Sequence, residues 1–169
     1  MNIFMLHPDH ATCAEYHCDK HVVKMILETT QMLSTVHWRW DNRGPYLPVH
    51  QKHPCTLWAG ESVANYKWLL GLGVALCREY TYRYEKVHKC EELLLGQPLA
   101  EPPCNLQVMD KRQHPTTPAQ AMPDQYKRRN PIQAYRNYYK AEKARFCKWK
   151  NRKTPTFMRK TMLLLSQPS

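Results

Sequence analysis

The sequence predicts an all-α fold: a compact single-domain helical bundle with one long Pro-rich loop. Three observations carry this. Apolar residues recur at helical spacing in three long stretches, and almost no stretch alternates as a half-buried strand would. The 169-residue length suits one domain with a sizeable core.

The elements follow in order. "MNIFML" reads as a short extended entry, and Pro8 and Asp9 signal a helix start. From Ala11 to Trp40 the pattern is that of one helix. Val22, Val23, Ile26, Thr30 and Leu33 form its core face, and a polar stripe runs through His10, Cys13, His17, His21, Lys24, Glu28, Gln31 and Thr35. Asp19 falls on the apolar side, where an unpaired carboxylate is costly, so it needs a partner or a raised pKa. Gly44, Pro45 and Pro48 in "DNRGPYLP" end the helix. Residues 53–88 form a second helical region, two helices meeting near Gly60–Ser62, in which Gly71 and Gly73 suggest close packing. "KCEELLLG" extends it or forms a short helix of its own. Residues 96–131 hold seven of the 13 prolines and read as an irregular loop. Pro131 suits the first turn of a last helix, and residues 155–169 read as a tail or docking segment.

Composition narrows the function. Lys and Arg number 25 against 14 for Asp and Glu, a net charge of +11. Such a chain favours polyanions, and interleaved aromatics favour nucleic acid among them. No apolar run approaches the roughly 18 residues that span a bilayer, so no membrane partner is expected. The first residues lack the charged start of a signal peptide. Seven cysteines without a paired framework fit reduced thiols, hence a cytoplasmic setting. There is no Gly-rich phosphate loop, G-x-S-x-G or H-E-x-x-H, which disfavours an NTPase, an α/β hydrolase or a zincin.

"HATCAEYHCDKH" packs three histidines and two cysteines into twelve residues. His17 and His21 have the i, i+4 spacing of shared metal ligands, with His50, His53 and Cys55 able to complete a site. No CxxC pair accompanies them, and the expectation is no metal and no cofactor. An acid–base centre uses Asp19 with His17, Lys20 and His21, and Lys20 is a possible Schiff-base lysine. The structural alternative has Asp19 capping a helix that begins at Lys20, or pairing with an arginine of the last helix. Elsewhere, Trp58, Asn65, Tyr66, Trp68 and Tyr84 are candidates for a base pocket, although aromatics at helical spacing are more often core. Arg83, Lys86, His88, Lys127, Arg128, Arg129, Arg136, Lys140 and Lys143, with Lys24, are candidates for backbone contacts.

The ordered segments "LHP", "AEYHCDKHVVKMI", "KHPCTLWAGES" and "ALCREYTYRYEK" resemble the pyrimidine-dimer DNA glycosylases, the endonuclease V type of phage and bacterial repair enzyme. "CDKHVVKM", "HPC", "NYKWL" and "QAMP" are also similar to segments of a set of phage proteins bearing that name. The resemblance implies a compact all-α domain that needs no metal. Its N-terminal α-amine attacks deoxyribose C1′, releases the base through a Schiff base and cleaves the strand by β-elimination. Laid on this chain, the family's assisting carboxylate falls at Cys18, one residue before Asp19, and its basic neighbours fall at His17 and His21. Asn2 is bulky enough to keep Met1 in place, so the reactive amine is expected on Met1.

The expected function is therefore a DNA glycosylase with AP-lyase activity on damaged or modified pyrimidines. Asp19 would be the carboxylate, and the Met1 amine or Lys20 the nucleophile. Two alternatives use the same surface: a phage enzyme that modifies a base or nucleotide, and a non-catalytic nucleic-acid-binding protein.

Overall fold

The expected first helix is two helices with an elbow between them. In the computed structural model, which describes residues 1–110 and 112–167, α1 spans His10–Tyr16 and α2 spans Asp19–Asp41. Asp9 caps α1 by accepting from the Thr12 N–H at 2.8 Å. His17 and Cys18 then turn extended, with ψ of 134° and 162°. The amides freed at this elbow bond to distant chain: Cys18 N–H donates to Tyr139 Oη at 2.9 Å, and Asp19 N–H to Lys148 O at 2.8 Å. A periodicity argument sees no break here because its partners lie more than 120 residues away.

α2 is buried on more than its apolar stripe. Val22, Ile26, Thr30 and Leu33 are in the core as expected, whereas Val23 is exposed. The polar stripe is covered too: His21, Glu28 and Thr35 are buried. Residues 2–6 are also buried, and Glu28 receives the amide of Asn2.

α3 (Pro54–Ala59) and α4 (Val63–Tyr84) meet at Gly60–Ser62, as the sequence suggests. His53 Nδ1 caps α3, and Ser62 Oγ caps α4 by accepting from Asn65 N–H. α4 lies along α2 as the largest helix–helix contact. A Cβ on Gly73 would come within 2.9 Å of Thr29 Cγ2, and one on Gly71 would meet the His10 ring, so both glycines permit close approach. α5 (Glu91–Leu95) is a separate short helix that buries Leu94.

The 96–131 stretch is largely irregular but carries α6 (Cys104–Met109) and a 3₁₀ turn at Asp124–Tyr126. α7 starts at Pro131 behind an Asn130 cap and runs to Tyr138. The chain then widens to a π turn over Tyr139–Lys143 and tightens to a 3₁₀ turn over Ala144–Phe146. The segment expected as a tail contains α8 (Thr156–Leu165), anchored by fully buried Met158, with Leu163, Leu164 and Leu165 exposed. Lys111 of the loop and the last two residues of that tail lie outside the described residues. Among the described residues there is no strand, and no helix is long and apolar enough to cross a membrane.

Candidate active site

The first two residues end on the buried carboxylate of Glu28. The α-amine of Met1 lies 3.7 Å from Glu28 Oε2, and the Asn2 N–H donates to the same oxygen at 3.0 Å. Lys24, one turn earlier on α2, reaches Glu28 Oε1 at 3.3 Å while its ammonium end stays exposed. Asn2 is held in turn by its side-chain amide, which donates to Ala121 O. The first turn of α3 closes the other side: Thr56 Oγ1 donates to Met1 Sδ at 3.5 Å. His53 lies within the field of the same amine. Partial burial first, then the amine and His50, hold the imidazole below its ordinary pKa against the pull of Glu28.

A line of cations leads to this point. Lys20, Lys24 and Glu28 follow one another at i, i+4, i+8 on α2, and the two lysines are exposed. Lys20 Nζ lies over the Phe146 ring at 5.2 Å, and Lys143 Nζ over Tyr138 at 4.7 Å. Beneath them Phe4, at a φ of 37°, stacks on His21 with ring centroids 4.5 Å apart. Tyr139 Oη accepts from Cys18 N–H and lies in hydrogen-bond contact with His21 Nδ1, 2.7 Å away. Burial first, then repulsion from Lys143, Lys24 and, once it is protonated in acid, His17, pushes His21 down to about 3. His17 is completely buried, its Nδ1–H donates to Cys13 O at 2.7 Å, and burial takes it down to about 4. Both imidazoles are therefore neutral at pH 7 and cannot serve as phosphate-gripping cations.

A sequence profile of the pyrimidine dimer DNA glycosylase family matches residues 1–92. The chain belongs to that family. No curated protein and no solved structure matches it. Membership makes DNA the substrate class, and the matched residues include Met1, Lys24, Glu28 and His53.

Asp19 stands apart from the amine. It lies nine residues before Glu28, about 13 Å of helix rise. Its Oδ1 accepts from Arg83 Nη1 at 2.9 Å, and both oxygens accept from Lys150 N–H. The pairing with an arginine is thus present, but the arginine comes from α4 rather than the last helix.

Arg83 was expected at a phosphate and is instead buried. Its Nε donates to Glu79 Oε1 at 2.7 Å and its Nη2 to Glu15 O at 3.0 Å, so the whole guanidinium fork is engaged. Burial alone would raise the Glu79 carboxyl, but hydrogen bonds from Arg152 and Arg83 outweigh it and hold it below its ordinary value. Arg136 also turns inward, donating to Leu6 O and lying over the Tyr16 and Phe157 rings. Lys127 pairs with Asp124, and Arg128 bonds to Gln125 O and Lys127 O. Lys86 and Arg129 are exposed, whereas His88 and Lys140 are half-buried.

The expected base pocket is core. Trp58, Asn65, Tyr66 and Trp68 are all buried. Asn65 is paired with Thr116 and Trp58 O, and Tyr66 Oη donates to Leu99 O. These side chains fasten the proline-rich stretch to α4, which leaves no opening for a base. Tyr84 is half-buried beneath Lys150 Nζ, 5.3 Å from its ring centroid. Nor do the histidines converge: among the described residues no three His, Cys, Asp or Glu side chains are grouped to hold an ion.

Glu28 is the functional candidate that sequence reasoning did not single out. The signal was present, because it is the only carboxylate on the polar stripe of α2 and follows Lys24 by four residues.

Proposed function

We propose that this chain is a DNA glycosylase with AP-lyase activity, with the α-amine of residue 1 as nucleophile and Glu28 as its assisting carboxylate. The observation that carries the reading is the amine held 3.7 Å from a buried carboxylate, at the end of an exposed lysine line. If Met1 were removed, the new amine would be the Asn2 nitrogen, already 3.0 Å from the same oxygen. Either form of the N-terminus meets the chemical requirement.

In this reading the deprotonated amine attacks C1′, the bond from C1′ to the base breaks, and the base leaves with a proton. In the aminal that results, the C1′–O4′ bond then breaks as O4′ takes up a proton, and the amine nitrogen becomes an iminium on the opened sugar. Loss of a C2′ proton then expels the 3′ phosphate, and water releases the enzyme. Glu28 is suited to carry protons between the amine and O4′, because a positioned carboxylate beside a reacting group gains about 10²–10⁴-fold. Lys20, Lys24 and Lys143 are suited to the flanking phosphates. Damaged or modified pyrimidines in DNA are the substrates this reading favours.

The test is borohydride trapping on duplexes containing an abasic site or a pyrimidine dimer, followed by peptide mapping. A covalent adduct on residue 1 is expected, and Glu28→Gln should slow its formation. Absence of any adduct where a known lyase traps would overturn the Schiff-base chemistry.

A further inference from the structure

The irregular loop after α2 is fastened to that helix by side chains placed for the purpose. Ser34 Oγ donates to Tyr46 O at 2.7 Å and accepts from Tyr46 N–H at 2.9 Å. Trp38 Nε1 donates to Tyr46 O at 2.7 Å, and Thr35 Oγ1 accepts from Val49 N–H at 3.1 Å. Gly44 completes the fit, since a Cβ there would stand 2.6 Å from Ser34 Oγ and 2.9 Å from Trp38 Cδ1. The loop is thereby set at a fixed height over α2.

A cleft of about 400 Å³ lies between this loop, the C-terminal part of α2 and α3. The Trp38 indole, the Asn42 and Gln51 amides, and the cations Arg39 and Lys52 line it. Among the described residues neither Arg39 nor Lys52 forms an ion pair. Thr56 lines the same cleft and touches Met1, so the cleft opens beside residue 1.

We propose that this cleft binds one nucleoside monophosphate unit. A fixed indole offers a stacking face that accepts any base. Two amides supply donors and acceptors for a base edge, and two unpaired cations supply the countercharge of a phosphate. A base alone would leave much of the volume empty, whereas a base with its sugar and phosphate would fill it. The nucleotide has two possible sources, a free monophosphate or one unit of a DNA strand. The second source rests on the glycosylase reading, because it uses the contact of Thr56 with the side chain of residue 1.

The test follows the Trp38 indole N–H resonance, assigned with Trp38→Phe, during titration of the whole chain. The probes are thymidine 5′-monophosphate, thymidine and inorganic phosphate. The monophosphate should saturate at a concentration at least tenfold lower than either part, and the double variant Arg39→Gln, Lys52→Gln should lose at least tenfold of that affinity. Displacement of the monophosphate by a duplex carrying an abasic-site analogue would place the unit in a strand. Failure of the duplex to displace it would identify a free nucleotide as ligand. No shift at Trp38, or equal saturation in the double variant, would overturn the proposal. Trapping at residue 1 is scored separately, so loss of the lyase reading and loss of the cleft are read from different signals.

Discussion

Arg83 and Asp19 are 64 residues apart in sequence and meet at 2.9 Å, joining α4 to the first turn of α2. The pair belongs to a larger group in which Glu79 receives both Arg83 and Arg152. The Arg83 side chain has no exposed surface, whereas that of Asp19 retains 22 %. The cost of breaking the group therefore depends on which member is removed.

Arg83→Met should destabilise the fold by about 3 kcal/mol, because it removes a buried guanidinium bound to Glu79, Asp19 and Glu15 O and leaves the buried Glu79 to Arg152 alone. Asp19→Asn should cost less, on the order of 1 kcal/mol, since its amide oxygen can still accept from Lys150 N–H. Urea unfolding measures both. If Asp19 serves the elbow rather than the chemistry, Asp19→Asn will trap abasic DNA at the wild-type rate well below its melting temperature. A rate loss of 100-fold in folded protein would return Asp19 to the reaction.

Glu28→Gln should lower single-turnover base release and trapping by about 10²–10⁴-fold, the range for a positioned proton-transfer group. Circular dichroism and Tm report whether the fold persists. A near-normal rate in folded protein would remove Glu28 from the mechanism.

Stability should fall on mild acidification. His17 and His21 have folded-state values of about 4 and about 3, below the 6.5 of an unperturbed imidazole. The unfolded chain therefore binds more protons than the folded one as pH drops below 6.5. The stability these two residues hold above that pH is lost down to about pH 4 for His17 and about pH 3 for His21. The slope should be on the order of 1 kcal/mol per pH unit per histidine. His10, His37, His53 and His88 are also lowered, each chiefly by burial, and add in the same direction. Urea midpoints between pH 7.5 and pH 5 give the slope, and a flat profile would contradict the buried, neutral state.

Tyr139→Phe should destabilise the protein by about 1–3 kcal/mol, because the Cys18 amide and His21 Nδ1 lose their shared partner in a buried place. Hydrogen exchange at the Cys18 amide should accelerate more than exchange along α4. Uniform acceleration would mean that the hydroxyl supports the whole core rather than the elbow.

What the sequence made legible was local. The junction of α3 and α4 at Gly60–Ser62 carries its own cap, and Pro131 behind Asn130 marks its own helix start. The elbow at His17–Cys18 carries no comparable local mark, because the groups that stabilise it belong to Tyr139 and Lys148. Glu28 was visible as a polar-face residue, but its burial depends on residues 1–2 folding back across α2. Arg83 and Tyr66 misled for a related reason. Cations and aromatics at helical spacing look alike whether they face solvent or core, and only the tertiary partners Glu79, Asp19 and Leu99 decide.

The elbow has a consequence for synthesis. The family match ends at residue 92, yet the hydroxyl and carbonyl that receive the Cys18 and Asp19 amides belong to residues 139 and 148. While the chain is being made, α1 and α2 leave the ribosome long before these partners do, so the bend between them has nothing to close on. For a helical protein this is an unusually non-local requirement, and non-local contacts slow folding. A fragment cut at the match boundary would carry the amine, Lys24 and Glu28 without the clasp that aims α2. The nascent chain reaches the same geometry only when its last third arrives.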